Sequence, residues 1–535
     1  MSPHFRPPRR WLRDARRTFA RLPNLRMARV PDAPALPVRD PWPGDPARAT
    51  RLLRGELEVA GSTQPIGAGL WADSSGNALL RAGAHGFTWL RDLRALGTDA
   101  ARLRARALVS EWIGTPHLDP LASRADVAGA RIAAWLGHYD FFAASADDGF
   151  RQKLMSRLVA DARTLAASLP PEELDGRALT ALKGLVAAGI ALPEQAGFLT
   201  RALRFLPQEI RRQILPDGCH AERSPAAHLA ALQDLTEIRA FLQAAQCQPP
   251  AALINAIEQM APALKVFRHG DGALTLFNGS KEHDSTLVDL VLTQAGRSGR
   301  AAHSLPDGGF QRLQAGRSVV IVDCAPPAPP RIDRFAHAGT LALELSIGRD
   351  RMIVNCGAAP AAATEWRDAL RATAAHSTLV VADTSSSELK PEGLGRRPEH
   401  IEAARQEAGG AHWLEAAHDG WKKPFGVVHR RRLYLAEGGE DLRGEDSVEA
   451  PTPQSFVVRF HLHPTVKASM QQDGEAVLLR LPNSGGWRIR ADSGTIGLEE
   501  SIYFGGPEPR RSEQVVLATN AAGPQQIRWA ITKVG

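Results

Sequence analysis

At residues 269–279, His-Gly-Asp-Gly-Ala-Leu-Thr-Leu-Phe-Asn-Gly, the hydrophobic period of the chain changes, and this change constrains the fold more than any other feature. Before it, apolar residues recur at helical spacing; after it, short apolar runs stand between turn residues. Helical periodicity runs from about Gly86 to Trp112, then over Ala125–Ala144, Phe150–Leu169, Gly176–Ala191, Gln195–Ile214, Pro225–Ala245 and Pro250–Phe267. Turns such as Leu169-Pro-Pro, Leu192-Pro-Glu and Gln248-Pro-Pro separate these stretches, so they read as stacked helical hairpins. No residue-level repeat points to an open solenoid. Beyond the switch, Ser318–Asp323, Thr340–Ser346, Arg351–Asn355, Thr378–Ala382, Val427–Leu435, Phe456–Leu462 and Ala476–Leu481 predict an antiparallel sandwich, closed by Gln514–Val534. The expected organisation is multidomain α + β. A tail and linker span residues 1–50, a helical domain 51–270 and a β-sandwich 271–535.

A chain of 535 residues is long enough for large cores, and its 44% apolar and 23% charged content is that of an ordinary globular protein. Four cysteines without CxxC spacing exclude a disulfide framework and a cysteine-based zinc site. The net charge of +7 suits an acidic substrate, because basic clefts concentrate anions; it equally suits a solvated, Arg-rich surface. Residues 12–22 read as a short basic amphipathic helix, followed by a Pro-rich linker to about Pro46. Such a segment is either a solvated tail or a contact for anionic lipid or nucleic acid. No nucleic-acid partner is expected for the folded domains. Neither a secretory apolar core nor a bilayer-length run is present, so the expected location is cytoplasmic and no transmembrane segment is expected.

Chemistry-bearing residues concentrate in a few places. In the stretch Arg334–Ser346 and the runs Ile353–Gly357 and Ala374–Val380, each β-prone run carries one ligand-type side chain: His337, Asn355 and His376. Side chains alternate along a strand, so adjacent strands can bring these three to one point of a sheet. They are the candidate metal ligands, with zinc as the candidate ion and no organic cofactor; the alternative is a pair of hydrogen-bonded histidines. Asp383 and Asp446 are possible replacement ligands, and His461 and His463 share one face of a strand.

The loop Leu215-Pro-Asp-Gly-Cys-His-Ala-Glu-Arg-Ser-Pro225 turns at Asp217-Gly218 and enters a helix at Ser224-Pro225. It places His220, Glu222 and Arg223 near a helix N-terminus, where anions bind favourably. Helix capping, with Arg223 paired to Asp217 or Glu222, is the other role open to it. Around Gly86, Trp89 offers a ring to a sugar and Arg91 a fork to a carboxylate, beside His85; burial of Trp89 and an Arg91–Asp92 pair is the alternative. The turn Arg268–Gly272 carries His269 and Asp271 at the expected domain junction, where ligand clefts often form. A glycine-rich hinge is its other reading.

Together these motifs resemble the heparinase II/III-like family of polysaccharide lyases, from about Gly67 to the C-terminus. The resemblance implies an incomplete α/α toroid, a C-terminal β-sandwich with a metal site, and β-elimination on a uronate-containing, acidic polysaccharide. It also implies a periplasmic or envelope setting as the alternative location. On this resemblance His220, Glu222, Arg223 and His228 are the catalytic candidates, and His85, Trp89, Arg91, His269 and Asp271 the substrate-binding ones. Elimination needs a group that neutralises the carboxylate and a base with a suitable proton affinity. Arg223 is expected to line a cleft near His220. The sequence departs from the family at four places: Asn355 replaces an Asp, Phe335 a His, Arg177 an Asn or His, and Ala226-Ala227-His228 stands where a catalytic Tyr follows Ser-Pro. A glycan-binding or envelope-polysaccharide assembly protein on the same scaffold is therefore the alternative to a lyase.

Overall fold

The computed structural model describes residues 30–67, 69–172, 174–193, 197–296, 299–471 and 474–534; the basic segment 12–22 lies outside them. The chain folds as two compact units that do not follow a single cut. The first takes the chain up to Gln213, then Ala231–Ile257 and Pro360–Ala362; the second takes Ile214–Ala230, Glu258–Ala359 and Ala363 onward.

The first unit is helical apart from the hairpin β1 (Glu56–Val59) and β2 (Ser62–Pro65). Its helices are α1 (Pro46–Leu53), α2 (Ala78–Gly86), α3 (Leu90–Leu96), α4 (Asp99–Gly114), α5 (Ala125–Gly137), α6 (Tyr139–Phe142), α7 (Asp148–Ser168), α8 (Arg177–Ala191) and α9 (Phe198–Gln213). Two more, α10 (Pro225–Ala244) and α11 (Ala251–Val266), are shared with the second unit. Side chains start these helices where the sequence provides an acceptor: Asp45 caps α1 ahead of Pro46, Thr98 caps α4 and Asp147 caps α7.

At the centre α5 and α8 touch backbone to backbone. A Cβ on Gly184 would stand 2.3 Å from the Cα of Gly129, and one on Gly129 would stand 2.6 Å from the Thr180 carbonyl oxygen. The charges buried nearby are paired. Lys183 reaches Asp234 at 2.6 Å and Glu237 at 3.2 Å, and Arg131 reaches Asp161 at 2.7 Å. Burying an ion without such a partner costs several kcal/mol.

The second unit holds two large sheets. One runs β14 (Lys467–Met470), β15 (Ala476–Leu481), β16 (Gly485–Ala491), β19 (Gln526–Val534), β12 (Asp441–Glu449), β11 (Val427–Leu435), β10 (Ala411–Trp421), β9 (Ile401–Ala408). The other runs β17 (Thr495–Tyr503), β18 (Arg510–Thr519), β13 (Phe456–Leu462), β7 (Asp350–Val354), β6 (Leu343–Ile347), β5 (Ser318–Asp323), β4 (Phe310–Ala315), β3 (Ser304–Leu305), with β8 (Leu379–Val381) also on β13. One apolar core joins them, with Leu345, Val458 and Phe460 from one sheet and Leu414, Leu433 and Trp529 from the other. This is the antiparallel sandwich that the alternation predicts.

The alternating run Leu57-Glu-Val-Ala-Gly61 forms the hairpin of β1 and β2 directly after α1, as its strand-like spacing predicts. The departure from the periodic reading is helical: α12 (Ser285–Ala295), capped by Asp284, follows the switch at residues 269–279. Shorter helices follow at Arg367–Arg371 and Lys422–Phe425, and helices of so few turns among strand-forming runs leave little period to stand out. No described helix is long and apolar enough to cross a membrane.

Candidate functional site

The loop between α9 and α10 belongs to the second unit, and its ionisable groups turn inward. Asp217 Oδ1 accepts from the Cys219 amide at 2.9 Å and Oδ2 from the Gly308 amide at 2.7 Å. Gly218 has φ +84, and a Cβ there would meet the Gln259 carbonyl oxygen at 2.2 Å. Arg223 is 5% exposed. Its Nε donates to the Gly308 carbonyl at 2.7 Å, its Nη1 to the Pro326 carbonyl at 2.5 Å, and its Nη2 to Asp323. The guanidinium lies 4.9 Å from the centre of the Phe310 ring. Asn278 holds the loop from the other side, its Nδ2 donating to the Arg223 carbonyl at 2.9 Å. Arg223 therefore pairs with Asp323, not with Asp217 or Glu222, and its donors are occupied within the unit instead of lining an open cleft.

His220 of this loop and His228 at the start of α10 are both fully buried. His228 Nε2 donates to the Met260 carbonyl at 2.9 Å, which leaves Nδ1 as the acceptor for the His220 amide at 3.3 Å. Both ring nitrogens are engaged, and burial lowers the pKa to about 4. His220 Nδ1 accepts from the Glu222 amide at 3.3 Å.

His269 is also interior. Its Nδ1 lies 2.9 Å from Ser346 Oγ and its Nε2 2.8 Å from Glu344 Oε2, and burial is the largest cause lowering its pKa. Asp271 pairs with Arg351 at 2.7 Å. Glu344 is the hub here: its Oε1 accepts from the amides of Leu276 at 2.9 Å and Asn355 at 3.2 Å, and from Asn355 Nδ2 at 2.9 Å.

Of the three candidate metal ligands, His337 and His376 come together as a hydrogen-bonded pair, and Asn355 bonds instead to Glu344 and the Ser377 amide. His376 Nδ1 donates to the Ala372 carbonyl at 2.8 Å, so its Nε2 carries the lone pair that meets His337 Nδ1 at 3.1 Å. Burial holds His376 near 4 and His337 well below its usual value. Asn355 Oδ1 accepts from the Ser377 amide at 3.0 Å while its Nδ2 serves Glu344. An Asp at this position would set a second carboxylate against Glu344, so the amide suits the network and a charged ligand does not. Neutral imidazole is the form of histidine that ligates zinc, so His337 and His376 keep the chemistry for it, whereas the Asn355 amide is committed to Ser377 and Glu344. Among the described residues no group of three or more His, Cys, Asp or Glu side chains is arranged to hold a metal. His461 and His463 part company as well: His461 bonds to Ser501 Oγ at 2.8 Å, and His463 to Thr465 Oγ1 at 2.7 Å. Asp446 sits fully buried between Arg431 and His429.

In the first unit, the exposed ring expected of Trp89 is instead 4% exposed, tilted against Phe87 with centroids 4.9 Å apart. Its Nε1 donates to the Ala84 carbonyl at 3.1 Å. Cooperative packing of Trp71, Phe87, Trp112 and Trp135 draws the whole segment into the core. His85 Nδ1 accepts from Trp112 Nε1 at 2.9 Å, and burial lowers its pKa to about 4. Arg91 pairs with Asp40 at 2.9 Å, where Asp92 had been the expected partner; Asp92 instead accepts from the Asp45 amide at 2.8 Å.

Residues 123–297 match the family model for the heparinase II/III N-terminus, and residues 297–530 match that for the heparinase II/III-like C-terminal domain. Over 520 residues the chain is 32% identical to FtsZ-localized protein C of Caulobacter vibrioides, spanning 92% of this chain and 89% of that protein. The chain belongs to the heparinase II/III-like family. Its fold is that of heparinase III (TM-score 0.73, 14% identity, 97% of this chain and 88% of that one). The heparan sulfate lyase HepC of Pedobacter heparinus is also similar (TM-score 0.61, 16% identity, 98% and 88%).

Within this heparinase II/III-like chain, sequence reasoning located the loop and the histidine pair but missed their partners. Asp323, Asn278, Glu344 and Ser346 complete the two networks. A signal existed for two of them: Glu344 and Ser346 alternate inside Leu343–Ile347, a strand whose every residue is buried. A carboxylate in such a strand requires a partner. Nothing in the spacing marks Asp323 or Asn278.

Proposed function

We propose that this protein uses the heparinase II/III-like scaffold to bind an acidic glycan without cleaving it, in association with the division machinery. The observation that carries the reading is the state of His228. It follows Ala227 in the segment where the family's tyrosine is expected, and both of its nitrogens are committed inside the unit. A base must offer a lone pair to the proton it removes. Arg223, whose fork would serve a substrate carboxylate, is spent on Asp323 and three carbonyl groups. The lyase folds named for heparin and heparan sulfate support an acidic glycan as ligand, and the FtsZ-localized relative supports the cellular association.

The second reading is an eliminating lyase with His220 as base, favoured by the retention of Asp217-Gly218, Glu222 and Arg223-Ser224-Pro225. One assay separates the two. Full-length protein is incubated with heparin, hyaluronan and polygalacturonate, and the ultraviolet absorbance of the unsaturated product is followed. No increase over buffer is expected. A steady increase that His220→Gln abolishes establishes the lyase and removes the non-cleaving reading.

A further inference from the structure

The outer face of the sheet that contains β10, β11, β12, β19 and β16 carries a row of side chains unlike its neighbours. Register places Trp413 opposite Tyr434, Tyr434 opposite Arg443, Arg443 opposite Ala530, and Ala530 opposite Arg490. The row therefore reads aromatic, aromatic, guanidinium, small, guanidinium across five strands. Trp413 is 41% exposed, and its ring centroid lies 5.1 Å from that of Tyr434 at 46°. All four large side chains line a shallow depression of about 1070 Å³.

The next row along the strands has the opposite character. Glu415, Arg432, Glu445 and Arg528 stand opposite one another in sequence. They neutralise each other: Arg432 lies 3.2 Å from Glu415 and 2.9 Å from Glu445, and Arg528 lies 3.0 Å from Glu445. In the aromatic row the charge is available. Arg443, 65% exposed in its side chain, gives Nε and Nη2 to Asp441 of its own strand at 2.9 and 2.7 Å and makes no ion pair across the row, and Arg490 makes no ion pair among the described residues. Ala530 leaves room between the two arginines, whose backbones are two strand spacings, roughly 9.6 Å, apart.

We propose that this face is a glycan-binding site in its own right, taking an acidic oligosaccharide that bears carboxylate or sulfate groups at intervals. The assignment rests on the glycan-binding reading above and locates it on the sandwich, away from the loop Asp217–Pro225. Trp413 and Tyr434 take the apolar faces of sugar rings, and Arg443 and Arg490 take successive anionic groups through paired hydrogen bonds. Two guanidinium groups set apart among carboxylates match a polymer charged at intervals. A nucleic acid, with a phosphate at every residue, calls for a continuous basic track. The shallow face has no deep apolar pocket to anchor a peptide side chain.

The test uses the full chain and titration calorimetry at low salt, with oligosaccharides of hyaluronan, heparin and polygalacturonate as probes, and a polyglutamate peptide and single-stranded DNA as other classes of polyanion. Wild type is expected to bind at least one glycan, more weakly as salt rises. The double variant Arg443→Glu/Arg490→Glu and the single variant Trp413→Ala should each weaken that binding at least tenfold, whereas Trp413→Phe retains it. Thermal unfolding of the variants should match wild type, since the altered side chains are exposed. Glycan binding that the variants leave unchanged removes this site and leaves the glycan-binding function standing. A wild type that binds none of the three glycans removes both. Binding of polyglutamate or DNA alone, lost in the variants, assigns the face to another class of polymer and overturns the proposal.

Discussion

Arg223 illustrates what a residue's neighbours in sequence can and cannot reveal. Its place two residues ahead of α10 follows from the Ser-Pro signal, and the reading of an anion-binding loop followed from that place. Its partner, Asp323, is 100 residues further along the chain, and no spacing rule connects the two. The guanidinium is consequently a clamp inside the second unit. Arg223→Ala should lower stability by about 3–5 kcal/mol, the range for breaking a buried ion pair. Arg223→Lys, which cannot reproduce the fork, should also lower the melting temperature while leaving glycan binding at the wild-type level. A lysine variant that melts normally but loses binding would return Arg223 to a ligand-contacting role. The histidine pair was found for a reason that the structure does not share. Neither His337 nor His376 lies in a strand: His337 precedes β6 and His376 follows the turn Thr373–Ala375 ahead of β8, so connecting segments and not period-two alternation bring the rings to 3.1 Å.

At the scale of elements, the change of period at residues 269–279 separated helices from strands because 3.6 and 2 are distant periods over runs of this length. The individual crossings were not legible. Both α5 and α8 are apolar on nearly every side, so their composition says that they are buried without saying which residues meet. The meeting point is Gly129 against Gly184. Either glycine replaced by alanine would force backbone apart in a packed interior, and such overpacking costs about 1–3 kcal/mol. Gly184→Ala is expected to reach the upper part of that range, since its Cβ would stand 2.3 Å from a Cα and not from a flexible side chain. Urea denaturation monitored by helical circular dichroism checks this. By contrast, alanine at Gly114, where a Cβ meets nothing within 4 Å, should leave the midpoint near wild type.

The whole molecule carries an unusual load of interior histidine. Burial is the largest cause that lowers His85 and His228 to about 4 and His461 to about 3, against 6.5 for the free side chain. Above pH 6.5 these groups are neutral in both folded and unfolded chains and contribute no pH dependence. Below it the unfolded chain takes up protons that the folded one refuses, so stability falls as pH falls, by up to about 1.4 kcal/mol per unit for each histidine. Glu282, held near 2, acts in the same direction at lower pH, its contribution being lost as pH falls below the ordinary 4.5. The melting temperature should drop steeply between pH 6.5 and 4.5, and His228→Gln should make that drop shallower by the share of one proton. A melting temperature that is flat over this interval would show that these rings are charged, or solvated, in the native state.

The inward-facing loop has a consequence for how such proteins are recognised. Asp217-Gly218 and Arg223-Ser224-Pro225 form a staple: Asp217 ties to Gly308, Arg223 to Asp323, and Ser224 Oγ lies 3.1 Å from Ser280 Oγ. A string of letters that reads as a signature of chemistry is, in these contacts, a requirement of folding. Selection can preserve such a string after the reaction it accompanied has gone. A search that counts its letters will therefore gather proteins that share a fold whether or not they share a reaction. What bears on the reaction in this chain is the segment after Ser-Pro, filled by Ala226-Ala227-His228.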